Sequence, residues 1–167
     1  MWRANVLERM PSVETKYFGT LACIEESVFD FPHGLPAFEE EKSFVVIELP
    51  ERAPLVFLQS MARASLCFVS FPILVVDKNY QLAIAPEDLE DLGLDSRCQP
   101  SLGAEVMVLA LLSSHGEFLP TANLMAPIVL NLKTRRALQA IRRDARYSHE
   151  HPVAAQAAGK NTTAEIC

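Results

Sequence analysis

Four histidines and four cysteines are the side chains of this chain best suited to nucleophilic, acid–base or metal chemistry, and their spacing supports none of it. His149 and His151 flank Glu150 two residues apart, a spacing that holds a metal ion on an extended strand only if a second ligand cluster joins it. The chain offers no such cluster nearby. Cys23, Cys67, Cys98 and Cys167 form no C-x-x-C pair and have no histidine at ligand spacing. Cys23 and Cys67 sit among apolar residues and read as small core side chains; Cys98 and Cys167 read as exposed thiols. No glycine-rich phosphate loop, G-x-S-x-G or H-E-x-x-H motif occurs. The expectation is a protein with no catalytic residue, no cofactor and no metal.

Binding is the chemistry the residues favour. Phe31-Pro32-His33-Gly34-Leu35-Pro36-Ala37-Phe38-Glu39 packs two prolines, one glycine and three large apolar side chains into nine positions. Pro32 and Pro36 fix φ and remove two backbone donors, so the run belongs to neither a helix interior nor a central strand. Gly34 supplies the left-handed conformation of a tight reversal. A stiff loop loses little entropy on docking, which makes Leu35, Phe38 and Glu39 candidate contacts, provided that Phe31, Leu35 and Phe38 do not instead plug the core. His33 reads as a surface or loop-stabilising residue.

A second candidate surface is Pro86-Glu87-Asp88-Leu89-Glu90-Asp91-Leu92-Gly93. Proline opens it, acids fill its first turn and glycine follows it, which predicts a short helix. Leu89 and Leu92 give it an apolar side, leaving Glu87, Asp88, Glu90 and Asp91 toward water.

The charge is uneven. Residues 1–120 hold 18 acidic and 8 basic side chains, or −10; residues 121–167 hold 3 and 7, or +4. An acidic body is the wrong sign for gripping a phosphate backbone and the right one for a basic partner. Lys133, Arg135, Arg136, Arg142, Arg143 and Arg146 make up most of the basic segment. With only Tyr147 among them they read as a solvated face rather than an RNA patch.

The elements that must carry these residues are mostly strands. Val13–Phe18 and Leu21–Ile24 flank Gly19 as a hairpin or tight bend, and Val28–Phe31 continues extended. Ser43–Leu49, Leu55–Met61, Leu66–Phe71, Ile73–Val76, Tyr80–Ile84, Glu105–Leu112 and Ala126–Leu132 read as further strands. Phe38–Lys42 reads as a single helical turn. Over Arg136–Arg146 the spacing of Leu138 and Ile141 favours a helix. Strands at close intervals with little helix predict a mainly β, single-domain antiparallel barrel-like fold with short helices. Residues 1–11 read as a flexible extension, 12–152 as the domain and 153–167 as a disordered tail. Half of the residues are hydrophobic and 22% charged, which places the chain with globular proteins. No apolar run is long enough for a membrane helix and no signal peptide opens the chain, so the expected location is the cytoplasm.

Read together, Thr15-Lys16-Tyr17-Phe18-Gly19, the proline loop, Phe57-Leu58-Gln59-Ser60, Leu66-Cys67-Phe68-Val69 and Asn123–Asn131 resemble the flagellar assembly factor FliW family, over roughly residues 12 to 152. The resemblance implies a compact β-barrel-like domain and a hairpin, not a helix, after a turn near Lys133–Arg136. It implies two partners, flagellin and the translational repressor CsrA, with antagonism of CsrA as the outcome. It implies no membrane, no direct nucleic-acid contact and a monomer when free. Phe18 joins Leu35, Phe38, Glu39, Glu87, Asp88, Glu90 and Asp91 as candidate partner contacts. Where the family usually has glycine, this chain has Ala37 in the loop and Ala137 near the later turn. The competing reading, a small-ligand-binding barrel or an enzyme, needs a polar constellation inside, for example around Gln59 and Asn131.

Overall fold

The computed structural model of the chain describes residues 10–153. The expectations for residues 1–9 and 154–167, including Cys167, lie outside the described residues. Near the two ends of the described residues, the Pro11 carbonyl accepts from Cys23 N–H at 2.9 Å, and Val153 is buried.

Eleven strands are formed among the described residues: β1 (Ser12–Thr15), β2 (Gly19–Ala22), β3 (Val28–Asp30), β4 (Ser43–Glu48), β5 (Val56–Ser60), β6 (Cys67–Pro72), β7 (Val106–Ser113), β8 (Thr121–Ala122), β9 (Ile128–Asn131), β10 (Ala137–Gln139) and β11 (His151–Pro152). The α-helices among the described residues are α1 (Ile73–Val76) and α2 (Pro86–Asp91), and single 3-10 turns form at Glu25–Ser27 and Pro50–Arg52. β1 and β2 form a separate hairpin. The rest make one bent sheet in the order β10-β9-β7-β6-β5-β4-β3, with β8 also on β7 and β11 on β8. Every strand pair is antiparallel. The ends of the sheet meet at one point, where Asp30 N–H donates to the Arg135 carbonyl at 2.8 Å beside an isolated parallel bridge from Asp30 to Arg136. The fold is therefore barrel-like, with no continuous ladder across that seam.

Side-chain alternation gives the central strands two buried faces. In β4, Phe44 and Val46 point into the interior with Phe31, Leu58, Leu109, Ile128 and Leu130. Val45 and Ile47 point outward, where the β1–β2 hairpin covers them with Val13. In β7, Leu109 faces the interior, while Val106, Val108 and Ala110 face a second outer layer built by α1, residues 80–84 and α2. β5, covered on both sides, is buried along its whole length. The central strands β4, β5 and β7 thus read as near-continuous apolar runs for a physical reason: both faces are covered.

Three local expectations are corrected, and one open alternative is decided. Ile73–Val76 is helix α1, not strand: Pro72 supplies no donor beyond the last β6–β7 pair, and Ile73 and Val76, three apart, are buried while Leu74 is exposed. Tyr80–Ile84 joins no ladder and is held by side chains instead. Phe38–Lys42 forms turns rather than a helical turn. Over Arg136–Arg146, where spacing pointed to a helix and the resemblance to a hairpin, the chain forms the hairpin, with β10 paired antiparallel to β9. Leu138 is buried and Ile141 is 59% exposed, so their helical spacing carries no shared face. At the β9–β10 turn the left-handed position is Arg135, at φ +61°, rather than Ala137. Asn131 Oδ1 accepts from the N–H groups of Lys133 and Thr134 and holds that turn without glycine.

Candidate docking surface

The proline loop folds back on itself. Phe38 N–H donates to the Leu35 carbonyl at 2.7 Å, and Leu35 N–H returns to the Phe38 carbonyl at 3.4 Å. Gly34 sits at φ +65° with no room for a side chain: a Cβ there would lie 2.6 Å from the Phe38 carbonyl oxygen. Ala37 holds φ +68°, a conformation that strains any residue with a Cβ. The Glu39 carboxylate accepts from Ala37 N–H at 3.0 Å, so Glu39 braces the turn while remaining exposed. Lys42 Nζ donates to the Pro32 carbonyl at 3.1 Å.

This folding decides which loop side chains can meet a partner. Phe31 is fully buried, edge-on to Phe44 with ring centroids 5.0 Å apart. Leu35 is 2% exposed and lies in the interior core, which corrects its expected place at the surface; the two-way bond with Phe38 turns it inward. Phe38 is half-buried against Phe68, at 5.4 Å, and keeps an open edge. Phe18 is half-buried against Phe57, at 4.9 Å, at the turn of the β1–β2 hairpin.

The loop and the acidic helix, far apart in sequence, are neighbours in space. His33 Nε2 lies 3.0 Å from Asp91 Oδ2. α2 begins at Pro86 and buries Leu89, with the equally buried Leu92 following it, as its pattern requires. Glu90 is exposed and Asp88 half-buried. Burial, together with the nearby charges of Glu87 and Asp91, pushes the Asp88 carboxyl above its ordinary value. The C-terminal end of α2 rests on the β9–β10 turn. There Asn131 Nδ2 and Thr134 Oγ1 donate to the Leu92 carbonyl at 2.9 and 3.0 Å, and Arg136 reaches the Asp91 carbonyl at 3.3 Å.

The basic segment is largely committed to the protein itself. Arg143 pairs with Glu87, and Arg146 with the side-chain oxygen of Gln81. Arg142, read from sequence as part of a solvated face, is instead buried. Its guanidinium is bound by Asp144 (2.9 and 2.7 Å), the Gln81 carbonyl (2.6 Å) and Tyr80 Oη (3.3 Å), and lies over the rings of Tyr80 and Tyr147. Arg142 pulls the Asp144 carboxyl below its ordinary value. No local pattern announces this cluster, because its members come from two segments that meet only in the folded chain.

The interior offers no polar constellation. Gln59 is buried on the outer face of β5, with its amide nitrogen donating to the Ser60, Arg63 and Ala64 carbonyls of the β5–β6 turn. Asn131 serves the β9–β10 turn. Glu41, also buried, accepts from Ser60 Oγ at 2.6 Å and pairs with Arg63 at 2.9 Å. Among the described residues no three His, Cys, Asp or Glu side chains converge as metal ligands. Burial pushes the Cys67 thiol up to about 11 and raises that of Cys23, so neither is poised as a nucleophile.

Residues 12–153 match the family model described as FliW protein. The chain belongs to the FliW family. Its relatives include the flagellar assembly factor FliW of Bacillus subtilis (strain 168), 35% identical over 141 residues, spanning 84% of this chain and 95% of the relative. The flagellar assembly factor FliW of Syntrophomonas wolfei is 34% identical over 136 residues, spanning 81% and 83%. A crystal structure of the flagellar assembly factor FliW superposes with a TM-score of 0.73 at 30% identity, covering 85% of this chain and 96% of that one. The mainly β architecture expected of a FliW domain is thus present. No helix among the described residues is long and apolar enough to cross a membrane.

Proposed function

We propose that this FliW-family protein is a non-catalytic docking factor for flagellum assembly, which binds flagellin and the translational regulator CsrA in the cytoplasm and antagonises CsrA repression of flagellin synthesis. The observation that carries this reading is the contact of His33 with Asp91. It brings the braced proline loop beside the acidic helix, and the partner contacts proposed on the two are Phe38, Glu39, Glu87, Asp88, Glu90 and Asp91. Such a surface meets a basic RNA-binding partner with complementary charge and disfavours bound RNA by like-charge repulsion. The assembly-factor names of its relatives support a role in the same process.

For CsrA the test is titration calorimetry at about 0.05 and 0.3 M salt, where screening lengths differ more than twofold. Affinity is expected to fall severalfold at the higher salt, and to fall further in a Glu87→Gln, Glu90→Gln double variant. Unchanged affinity in both experiments overturns the electrostatic reading. For flagellin, whose amphipathic terminal segments need an apolar cover, Phe38 and Phe18 are the proposed contacts. Phe38→Ser is expected to abolish capture of flagellin while the circular dichroism spectrum and melting remain cooperative. Full retention of flagellin by both the Phe38→Ser and Phe18→Ser variants overturns the assignment.

A further inference from the structure

The end of the sheet opposite the β5–β6 turn carries an apolar groove with one unmatched carboxylate. It lies where β4 passes through the 3-10 turn Pro50–Arg52 into β5, with Pro72 of β6 on one side. Lined by Glu48, Leu49, Pro50, Pro54, Leu55 and Pro72 among others, it holds about 430 Å³. That is the size of a small-ligand pocket, so it takes a few side chains rather than a folded surface. The lining is stiff and poor in donors. Pro50, Pro54 and Pro72 have a fixed φ and no N–H. The N–H groups of Ala53 and Leu55 are spent on the Pro50 and Arg52 carbonyls, at 3.4 and 2.9 Å. What is left is apolar surface, with Leu49 and Leu55 half-buried, and the exposed side chain of Glu48.

Glu48 is the one charged residue of the lining, and among the described residues it has no ion pair. Its neighbours do not neutralise it. Arg52 on the 3-10 turn is offset by Glu51 beside it. Val28 stands opposite Val45, so the residues before it run toward Glu48, and the turn Glu25–Ser27 packed against β4 adds Glu25 and Glu26. Lys42 and Arg63 lie beyond the opposite ends of β4 and β5.

We infer that this groove docks a short segment of a partner protein that carries an arginine between apolar residues. The arginine stem lies along the proline rings and its guanidinium forks onto the Glu48 carboxylate, while the flanking apolar side chains cover Leu49 and Leu55. Lysine serves less well, because an ammonium does not match both carboxylate oxygens in one plane. An acidic residue in the same place meets Glu48 with like charge and finds no donor on the three prolines. Walls already held by proline lose little freedom on docking. The groove lies at the end of β4 away from the proline loop, and the inference does not rest on the function proposed above.

The test uses the full chain labelled with ¹⁵N and the synthetic peptide acetyl-Ser-Leu-Ser-Arg-Ser-Leu-Ser-amide, whose Leu and Arg side chains share one face when extended. At about 0.05 M salt, where screening is weak, binding is expected to shift the amide resonances of Glu48, Leu49, Ala53 and Leu55. Replacing Arg by Glu in the peptide, or both Leu by Ser, is expected to abolish those shifts. Glu48→Gln in the protein is expected to weaken binding of the Arg peptide about threefold, and Glu48→Arg to reverse the preference in favour of the Glu peptide. No shift of these amides at millimolar peptide, or shifts confined to other residues, overturns docking in the groove. Equal binding of the Arg and Glu peptides overturns the cationic occupant, and full binding of the Ser-substituted peptide overturns the apolar contacts. Movement of the same resonances on dilution of the peptide-free protein assigns the groove to a second copy, and movement on removal of residues 1–9 or 154–167 assigns it to the chain itself. Either result overturns a partner segment.

Discussion

Two left-handed positions of the proline loop, Gly34 and Ala37, carry opposite predictions because one lacks a Cβ and the other has one. Gly34 cannot accept a side chain, since a Cβ would collide with the backbone of Phe38 and Glu39 rather than with a movable side chain. Gly34→Ala is therefore expected to lower stability by about 2 kcal/mol or more in denaturant titrations. Ala37 already holds a positive φ, so Ala37→Gly relieves strain and is expected to raise stability, by up to about 1 kcal/mol after the added freedom of the unfolded chain is counted. Equal effects of the two substitutions would contradict the loop geometry. Pro32, Gly34 and Pro36 made the turn legible in sequence. The inward rotation of Leu35 was not legible, because it follows from main-chain bonding between Leu35 and Phe38 that residue types alone do not specify.

Short elements here depend on side chains from distant segments. Arg142 fixes the segment around Tyr80 and Gln81 to the chain that follows β10. Arg142→Leu is expected to cost about 3 kcal/mol, since it strands the Gln81 carbonyl and opens the tyrosine stack. The basic composition of residues 133–146 was plain in the sequence, but which arginine is buried was not, because Tyr80 and Tyr147 meet it only in three dimensions. α2 was legible from Pro86, its acids and Gly93, all local signals. Asp88 in that helix predicts a pH response. Its carboxyl is raised in the folded state, so its favourable contribution is complete below the ordinary aspartate value of 3.8 and is lost as pH rises through the folded value. Asp88→Asn should therefore raise the melting temperature at pH 7 relative to the parent and leave it nearly unchanged at pH 3. A larger gain at pH 3 than at pH 7 would reverse this assignment.

At the scale of the whole molecule, the order of apolar runs was readable and their neighbours were only partly so. Ser43–Leu49, Leu55–Met61 and Glu105–Leu112 became β4, β5 and β7 because β-branched, uninterrupted runs have no other way to bury both faces. Ile73–Val76 and Tyr80–Ile84 have similar composition. They left the sheet because Pro72 ends the β6–β7 ladder, and because Gln99, Tyr147 and Arg142 supply Tyr80–Ile84 with substitutes for a strand partner.

The seam between Asp30 and Arg136 has a kinetic meaning. Those residues come from near opposite ends of the described chain, so closing the shell there demands that nearly everything between them is already in place. The stitch should then be the last contact made during folding and the first undone when the protein breathes. Amide protons of β3 and β10 are expected to exchange well ahead of those in β5, and a partner that gripped both sides of the seam would act as a clasp on an otherwise open ring.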